Sequence, residues 1–296
     1  MSLHVLGERF VEVDGRQARY VAAGHGDPIV LLHGLPACVL DWRTLRGPLS
    51  RLGHVLAVDL PGFGLTDPPP DGDLGAVAFA RFVVRFLDAV GETRPAMVVG
   101  HSNGGAVAQV LAVEHPARVR RLVLLGSVGW PAPVAAMSLL RSRAIRTAIL
   151  GAYRAAPRAL LRTVLRQVLH RNYADPTQID DEMIRWAEAL IADRPALERV
   201  LQAAAAMDPA LHRRVAPRIQ VPTLLVHGAR DRMVPPAVAD NLRRAIPGAR
   251  LVLLRGGSHM IHVERAAEIA ALVEEFAGAA PATATAGEKQ GLGAGG

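Results

Sequence analysis

The chain has a single cysteine, Cys38, so no disulfide can close within it and no cysteine cluster can hold zinc or iron–sulfur. Aromatic residues are scarce, at 4% of 296 residues, which argues against a stacking platform for single-stranded nucleic acid. No apolar run reaches the roughly 18 residues that a membrane-spanning helix needs. Lysine is almost missing: all but one of the 34 basic residues are arginine, the exception being Lys289. Those arginines are scattered along the chain, so the formal charge of +7 reads as a compositional habit, and no nucleic-acid partner is expected. The first residues show no basic segment leading into an apolar one, so the expected location is cytoplasmic.

What the chain does have is apolar sequence. Half its residues are hydrophobic and 21% are charged, enough for a large core and against global disorder. Residues 9–14 and 17–23 alternate on either side of Asp14-Gly15, a hairpin signal. Short, unbroken apolar runs follow at 28–32, 54–58, 96–99, 121–125, 221–226 and 250–254. Such runs are what parallel strands buried on both faces look like. Helical periodicity occupies 74–90, 103–115, 236–246 and 263–277. The fold class expected is therefore α/β, a mostly parallel central sheet with helices on both faces.

Between Trp130 and Arg218 the strand rhythm stops. An Ala-, Leu- and Arg-rich pattern, broken at Gly151, Pro157, Pro176 and Pro195, predicts about four inserted helices. The expected organisation is a core domain over 1–130 and 218–277, a helical lid over 131–217, and a disordered tail over 278–296.

The sharpest motif is Gly100-His101-Ser102-Asn103-Gly104, placed after an apolar run and before a helical pattern. An abrupt strand-to-helix turn holds its central residue in a strained conformation and needs small neighbours two positions away. A serine hydroxyl is a weak nucleophile without a base, and the base needs an acid to orient it. His259 follows the run ending at Leu254 and is the expected base. His262 begins the last helix and is expected to line or support the loop. Asp231, just past the run at 221–226, is the expected acid; its plainer reading is a surface pair with Arg230 or Arg232. The order Ser, Asp, His along the chain is one of three known orders for such a triad. The amides expected to hold an oxyanion are those of Asn103, in the turn itself, and Leu35 in His33-Gly34-Leu35-Pro36.

At this point the chain resembles the α/β-hydrolase superfamily. HGLP at 33–36 with Trp42 beyond it, DLPGFG at 59–64, GHSNGG at 100–105, GARDRMVP at 228–235 and SHMIHVE at 258–264 stand in family order from about residue 28 to 277. The resemblance implies a scaffold role for Asp59 and the turn after it, and a lid at the insertion. The HG-x-P loop is similar to that of haloalkane dehalogenases and epoxide hydrolases, but those carry Asp at the elbow where this chain has Ser102. A second departure is Ser258, where the family usually has Gly before the base.

The expected activity is hydrolysis of a small-molecule carboxylic ester through an acyl-enzyme, with no cofactor and no metal ligand. Carbon–carbon bond hydrolysis, perhydrolysis and acyl transfer use the same residue types, and a ligand-binding protein that kept the fold is the reading outside enzymes. Trp130, at the base of the lid, is a candidate substrate contact along with His262. Cys38 and Trp42 read as packing residues. Residues 131–174 hold eight Arg and no Asp or Glu. Arg158, Arg162 and Arg166 form an i+4 row on a helix whose apolar residues are expected to face inward. That row reads as a solvated face or as a weak attraction for an anionic substrate, carrier or lipid surface.

Overall fold

The computed structural model describes residues 7–130, 139–179, 181–192 and 194–279. β1 (Glu8–Val13) and β2 (Arg16–Ala23) form a hairpin around Asp14 and Gly15, whose φ values of 51° and 74° suit a tight two-residue turn. Six more strands complete one sheet: β3 (Pro28–Leu32), β4 (His54–Val58), β5 (Ala96–His101), β6 (Val119–Leu125), β7 (Thr223–Gly228) and β8 (Arg250–Leu254). Their order is β1-β2-β4-β3-β5-β6-β7-β8. β2 runs antiparallel to β1 and β4, and every other pairing is parallel.

β3 shows why these strands read as unbroken apolar runs. Val30 and Leu32 enter the core on the face covered by α2 (Ala76–Ala89) and α3 (Asn103–Glu114). Ile29 and Leu31 enter the opposite core with Trp42 and α1 (Arg43–Ser50). Successive side chains alternate in direction, yet both directions are buried. The sequence pattern missed α1, because Gly47 and Pro48 lie inside it and read as breakers. Burial of Leu45 and Leu49 against the sheet outweighs that weak propensity.

Past β3 the chain builds β4 on one side, then returns to lay β5 on the other. The loop after β3 therefore leads to one face and the turn after β5 to the other. A crevice opens at the carboxyl ends of strands at such a switch point.

Between β6 and β7 stand α4 (Arg143–Ala155), α5 (Arg158–Asn172), α6 (Asp181–Ala192), α7 (Arg194–Ala206) and α8 (Pro209–Val215). Among the described residues these are five helices where about four were expected. Gly151 does not break the pattern: it lies inside α4, with nothing within 4 Å of where a Cβ would stand. Pro195 sits in the first turn of α7, where no helical hydrogen bond is lost. The apolar row of α5 also departs from expectation, for Leu160, Val164 and Val168 are 53%, 49% and 45% exposed. After β7 come α9 (Pro236–Ala245), the single turn α10 (Ile261–Glu264) and α11 (Ala266–Gly278), which packs Ile269 and Val273 on the α1 face. Gly278 thus ends a helix. The rest of the expected tail, from residue 280, and residues 131–138 of the insertion lie outside the described residues. No helix among the described residues is long and apolar enough to cross a membrane.

Burying histidines has a cost that depends on pH. Desolvation lowers the pKa of His33, His212 and His227, that of His212 to about 4 against the opposing pull of Asp208. Unfolded, these imidazoles take a proton near pH 6.5, while folded they refuse it. The unfolded chain then holds more protons, so stability is full above that value and falls as the pH drops below it. Each suppressed group steepens the fall by up to about 1.4 kcal/mol per pH unit. Urea midpoints measured from pH 7 to 5 should decline, and His212→Gln should flatten the decline; an unaltered slope in the variant would refute its share.

Candidate active site

β5 ends at His101, and Ser102 enters α3 with φ 51° and ψ −117°, a conformation that residues with a side chain avoid. The surroundings impose it. A Cβ on Gly100 would lie 2.5 Å from the Gly104 carbonyl oxygen, and one on Gly104 would lie 2.0 Å from that of Leu32. Strand and helix cross too closely for any other residue. The Ser102 amide donates to the Leu125 carbonyl at 3.0 Å, and the Ser102 carbonyl accepts from Gly105 at 3.0 Å and Val128 at 3.1 Å. The turn is fixed on every side.

Two loops from the far half of the sheet meet Ser102. His259, after β8, places Nε2 3.1 Å from Ser102 Oγ and Nδ1 2.8 Å from Asp231 Oδ2. A carboxylate can only accept, so Nδ1 carries the proton and Nε2 turns a lone pair to the hydroxyl. Asp231 Oδ1 is occupied in turn by the amides of Met233 at 2.9 Å and Val234 at 2.8 Å. Nearby, His227 Nε2 donates to the Val234 carbonyl at 2.8 Å and fixes the same turn. Ser102, Asp231 and His259 are each buried.

The loop after β3 is set against this chain from the other side. A Cβ on Gly34 would stand 3.0 Å from Ser102 Cβ. The amides of Leu35 and Asn103 donate to no acceptor among the described residues. The loop hangs on two buried groups. His33 accepts from the Leu60 amide at 2.9 Å through Nε2 and donates from Nδ1 to the Gly34 carbonyl at 2.8 Å. Asp59 accepts from the Val39 amide at 2.7 Å, the Leu65 amide at 2.9 Å and Arg19 Nε at 2.6 Å.

Ser258 has work that a glycine could not do. Its hydroxyl lies 2.5 Å from the Asn172 carbonyl and 2.8 Å from Glu264 Oε2, and it accepts from the Met260 amide at 3.2 Å. Glu264 also accepts from the amides of Ser258 and Ala174. The loop that carries His259 is thereby tied to the end of α5. Sequence reading missed Glu264 because one of its partners, Ala174, lies 90 residues upstream, although the residue stood inside a motif already noted.

The remaining candidates fall in different places. His262 is fully buried between the rings of His101 and Trp42, at 3.9 and 5.2 Å, and offers a substrate no surface. That corrects its expected substrate role. Trp130 is half-buried and its carbonyl accepts from Asn241 Nδ2 at 3.0 Å. Trp42 and Cys38 are buried in packing, and desolvation pushes the Cys38 thiol well above its ordinary value. His101, the elbow residue without an expected role, sends Nε2 to the His259 carbonyl at 3.0 Å; burial and then the neighbouring His262 keep it neutral.

Comparison with known proteins bears on the fold and the family. Residues 27–266 match the family model described as alpha/beta hydrolase fold. The chain is 31% identical to 2-hydroxymuconate semialdehyde hydrolase of Pseudomonas putida, over 86% of this chain and 88% of that one. It is also 31% identical to the pimeloyl-[acyl-carrier protein] methyl ester esterase of Neisseria meningitidis serogroup B, over 84% and 92%. Among solved structures it is similar to a meta-cleavage product hydrolase from Pseudomonas fluorescens IP01. That likeness has a TM-score of 0.73 at 24% identity, covers 90% and 96% of the two chains, and speaks for the fold alone.

The close packing of α3 on the end of β3 can be tested with two methyl groups. Gly104→Ala should destabilise the protein by about 3 kcal/mol or more, since its Cβ meets backbone that cannot yield. Gly151→Ala, in open space within α4, should stabilise by roughly 0.5–1 kcal/mol. Chemical denaturation of both variants checks the pair, and equal effects would contradict the close approach of α3 to β3.

Proposed function

The chain belongs to the α/β-hydrolase fold family, and we propose that it is a serine hydrolase that cleaves carboxylic esters through an acyl-enzyme. The observation that carries this is the unbroken hydrogen-bonded series Asp231–His259–Ser102, with two uncommitted amides beside the hydroxyl. Ser102 attacks the ester carbonyl while His259 Nε2 takes its proton and later gives it to the leaving alcohol. Asp231 holds the imidazole in the right tautomer and stabilises the imidazolium that forms. The amides of Leu35 and Asn103 hold the oxyanion of the tetrahedral intermediate. Water then repeats the sequence on the acyl-serine and releases the acid. Residues 131–217 act as a lid over this site, beside a half-buried Trp130 that bounds the substrate pocket.

A second reading has support of its own. The similarity to 2-hydroxymuconate semialdehyde hydrolase favours hydrolysis of a carbon–carbon bond in a vinylogous diketone. The comparison of kcat/KM for such a diketone with p-nitrophenyl esters of graded chain length separates the two. Higher efficiency on the diketone would replace the ester reading and leave the residue roles standing.

The roles themselves have a direct test. A fluorophosphonate should label Ser102 and abolish turnover, whereas iodoacetamide should spare activity because Cys38 is buried. His259→Ala should lower kcat by several orders of magnitude, and His262→Ala by far less. An inactivating adduct on another residue, or the reverse ranking of the two histidines, would overturn the assignment.

The arginine row of α5 bears on substrate charge. Arg162 pairs with Glu188 at 3.1 Å on the surface, while the described helices α4 and α5 carry no acidic residue. Steering by this field acts on encounter and is screened by salt. The value of kcat/KM for an anionic ester should therefore fall with ionic strength more than that of a neutral ester of equal size. Replacing Arg158, Arg162 and Arg166 by Gln should remove the difference, and an equal salt response in the parent protein would make the row a solvated face.

A further inference from the structure

Beside the base, three buried side chains have no part in the chemistry above. Asp41, His101 and His262 each bring one donor atom to within 4.8 Å of the other two. The groups are short of partners. His101 Nε2 donates to the His259 carbonyl, so its Nδ1 is left with a buried lone pair and no hydrogen-bond partner. Neither ring nitrogen of His262 has a partner, although the residue is fully buried. The Asp41 carboxylate stands 3.6 Å from His262 Nε2, beyond hydrogen-bonding distance. Native interiors rarely leave so many polar atoms unsatisfied in one place. The Asp41 carboxylate, His101 Nδ1 and whichever nitrogen of neutral His262 carries no hydrogen all accept, so one cation can engage three acceptors at once.

We propose that Asp41, His101 and His262 bind one borderline divalent cation, for which Zn2+ is the best match. Two imidazoles and a carboxylate suit zinc, whereas Mg2+ and Ca2+ favour all-oxygen sites. Tetrahedral zinc holds its ligand atoms about 3.3 Å apart, so the cluster needs only a modest contraction. The ion has a way in. Asp41 borders a shallow depression shared with Cys38, Arg43 and Trp186, and its side chain is 13% exposed. This site goes beyond the sequence reading, which called for no metal ligand, and it is separate from the catalytic groups. Its effect on them is electrostatic. The His101 ring lies 4.9 Å from that of His259, and a cation there opposes the imidazolium formed when Ser102 is deprotonated. Zinc bound at this site therefore steadies the fold and slows turnover.

The test reads binding, so it stands whether or not the proposed reaction is correct. Calorimetric titration of the chelator-stripped protein with Zn2+ should show one tight equivalent and a raised Tm. Co2+ in its place should give visible ligand-field bands. His262→Gln and Asp41→Asn, each checked for native circular dichroism, should weaken that equivalent by about 100-fold or more. Crystals of the unaltered protein soaked in Zn2+ should show anomalous density between the three side chains. Retention of the tight equivalent in both folded variants would overturn the proposal, as would density explained by water with no anomalous signal.

Discussion

The close crossing of β5 over α3 is the constraint on which the rest of the site depends. Gly100 and Gly104 bring backbone to backbone with no room for a Cβ, and this forces Ser102 into a left-handed conformation. The strain is tolerable only because the parallel sheet on both sides is fully buried and holds β5 between β3 and β6. Relaxing Ser102 would mean moving two core strands, which costs far more than the roughly 1–3 kcal/mol stored in one strained residue. The position of Ser102 is thus a property of the sheet rather than of its loop.

Around that fixed point, buried polar groups do the positioning. Asp59 and His33 between them anchor the β3 loop, and Arg19 neutralises Asp59 from the hairpin edge at 2.6 Å. The antiparallel β1–β2 pair, which looks like a mere appendage to the sheet, therefore helps to hold the loop that carries Leu35. Burying such a pair does little for net stability, but removal of either partner would strand a charge in the core. This arrangement favours one loop geometry over its neighbours.

Much of this was legible in the sequence because it rests on local rules. Apolar runs located β3, β4 and β8 to the residue, and the glycines around Ser102 announced the elbow. His259 and Asp231 could be picked out by their position after late strands. What could not be read depends on contacts between distant segments. α1 was hidden by Gly47 and Pro48, since its helicity comes from packing rather than propensity. The outward turn of Leu160, Val164 and Val168 was missed because periodicity gives the existence of an apolar face, not what lies opposite it. His262 was misread as a pocket residue for a similar reason: only the fold reveals that His101 and Trp42 close over it.

The bonds from Ser258 and Glu264 to residues 172–174 join the base loop to the inserted helices. Heritable variation has to pass through that joint. Insertions in this position are free to change length and sequence where they touch only solvent, but the stretch that ends α5 is shared property of the insertion and the base. Remodelling the end of α5 would disturb the loop that carries His259 at the same stroke, whereas remodelling α4 or α7 would not meet these bonds. The loop that carries His259 and the inserted helices are therefore not independent modules in this chain, and the Ser258 hydroxyl is one of the groups that couples them.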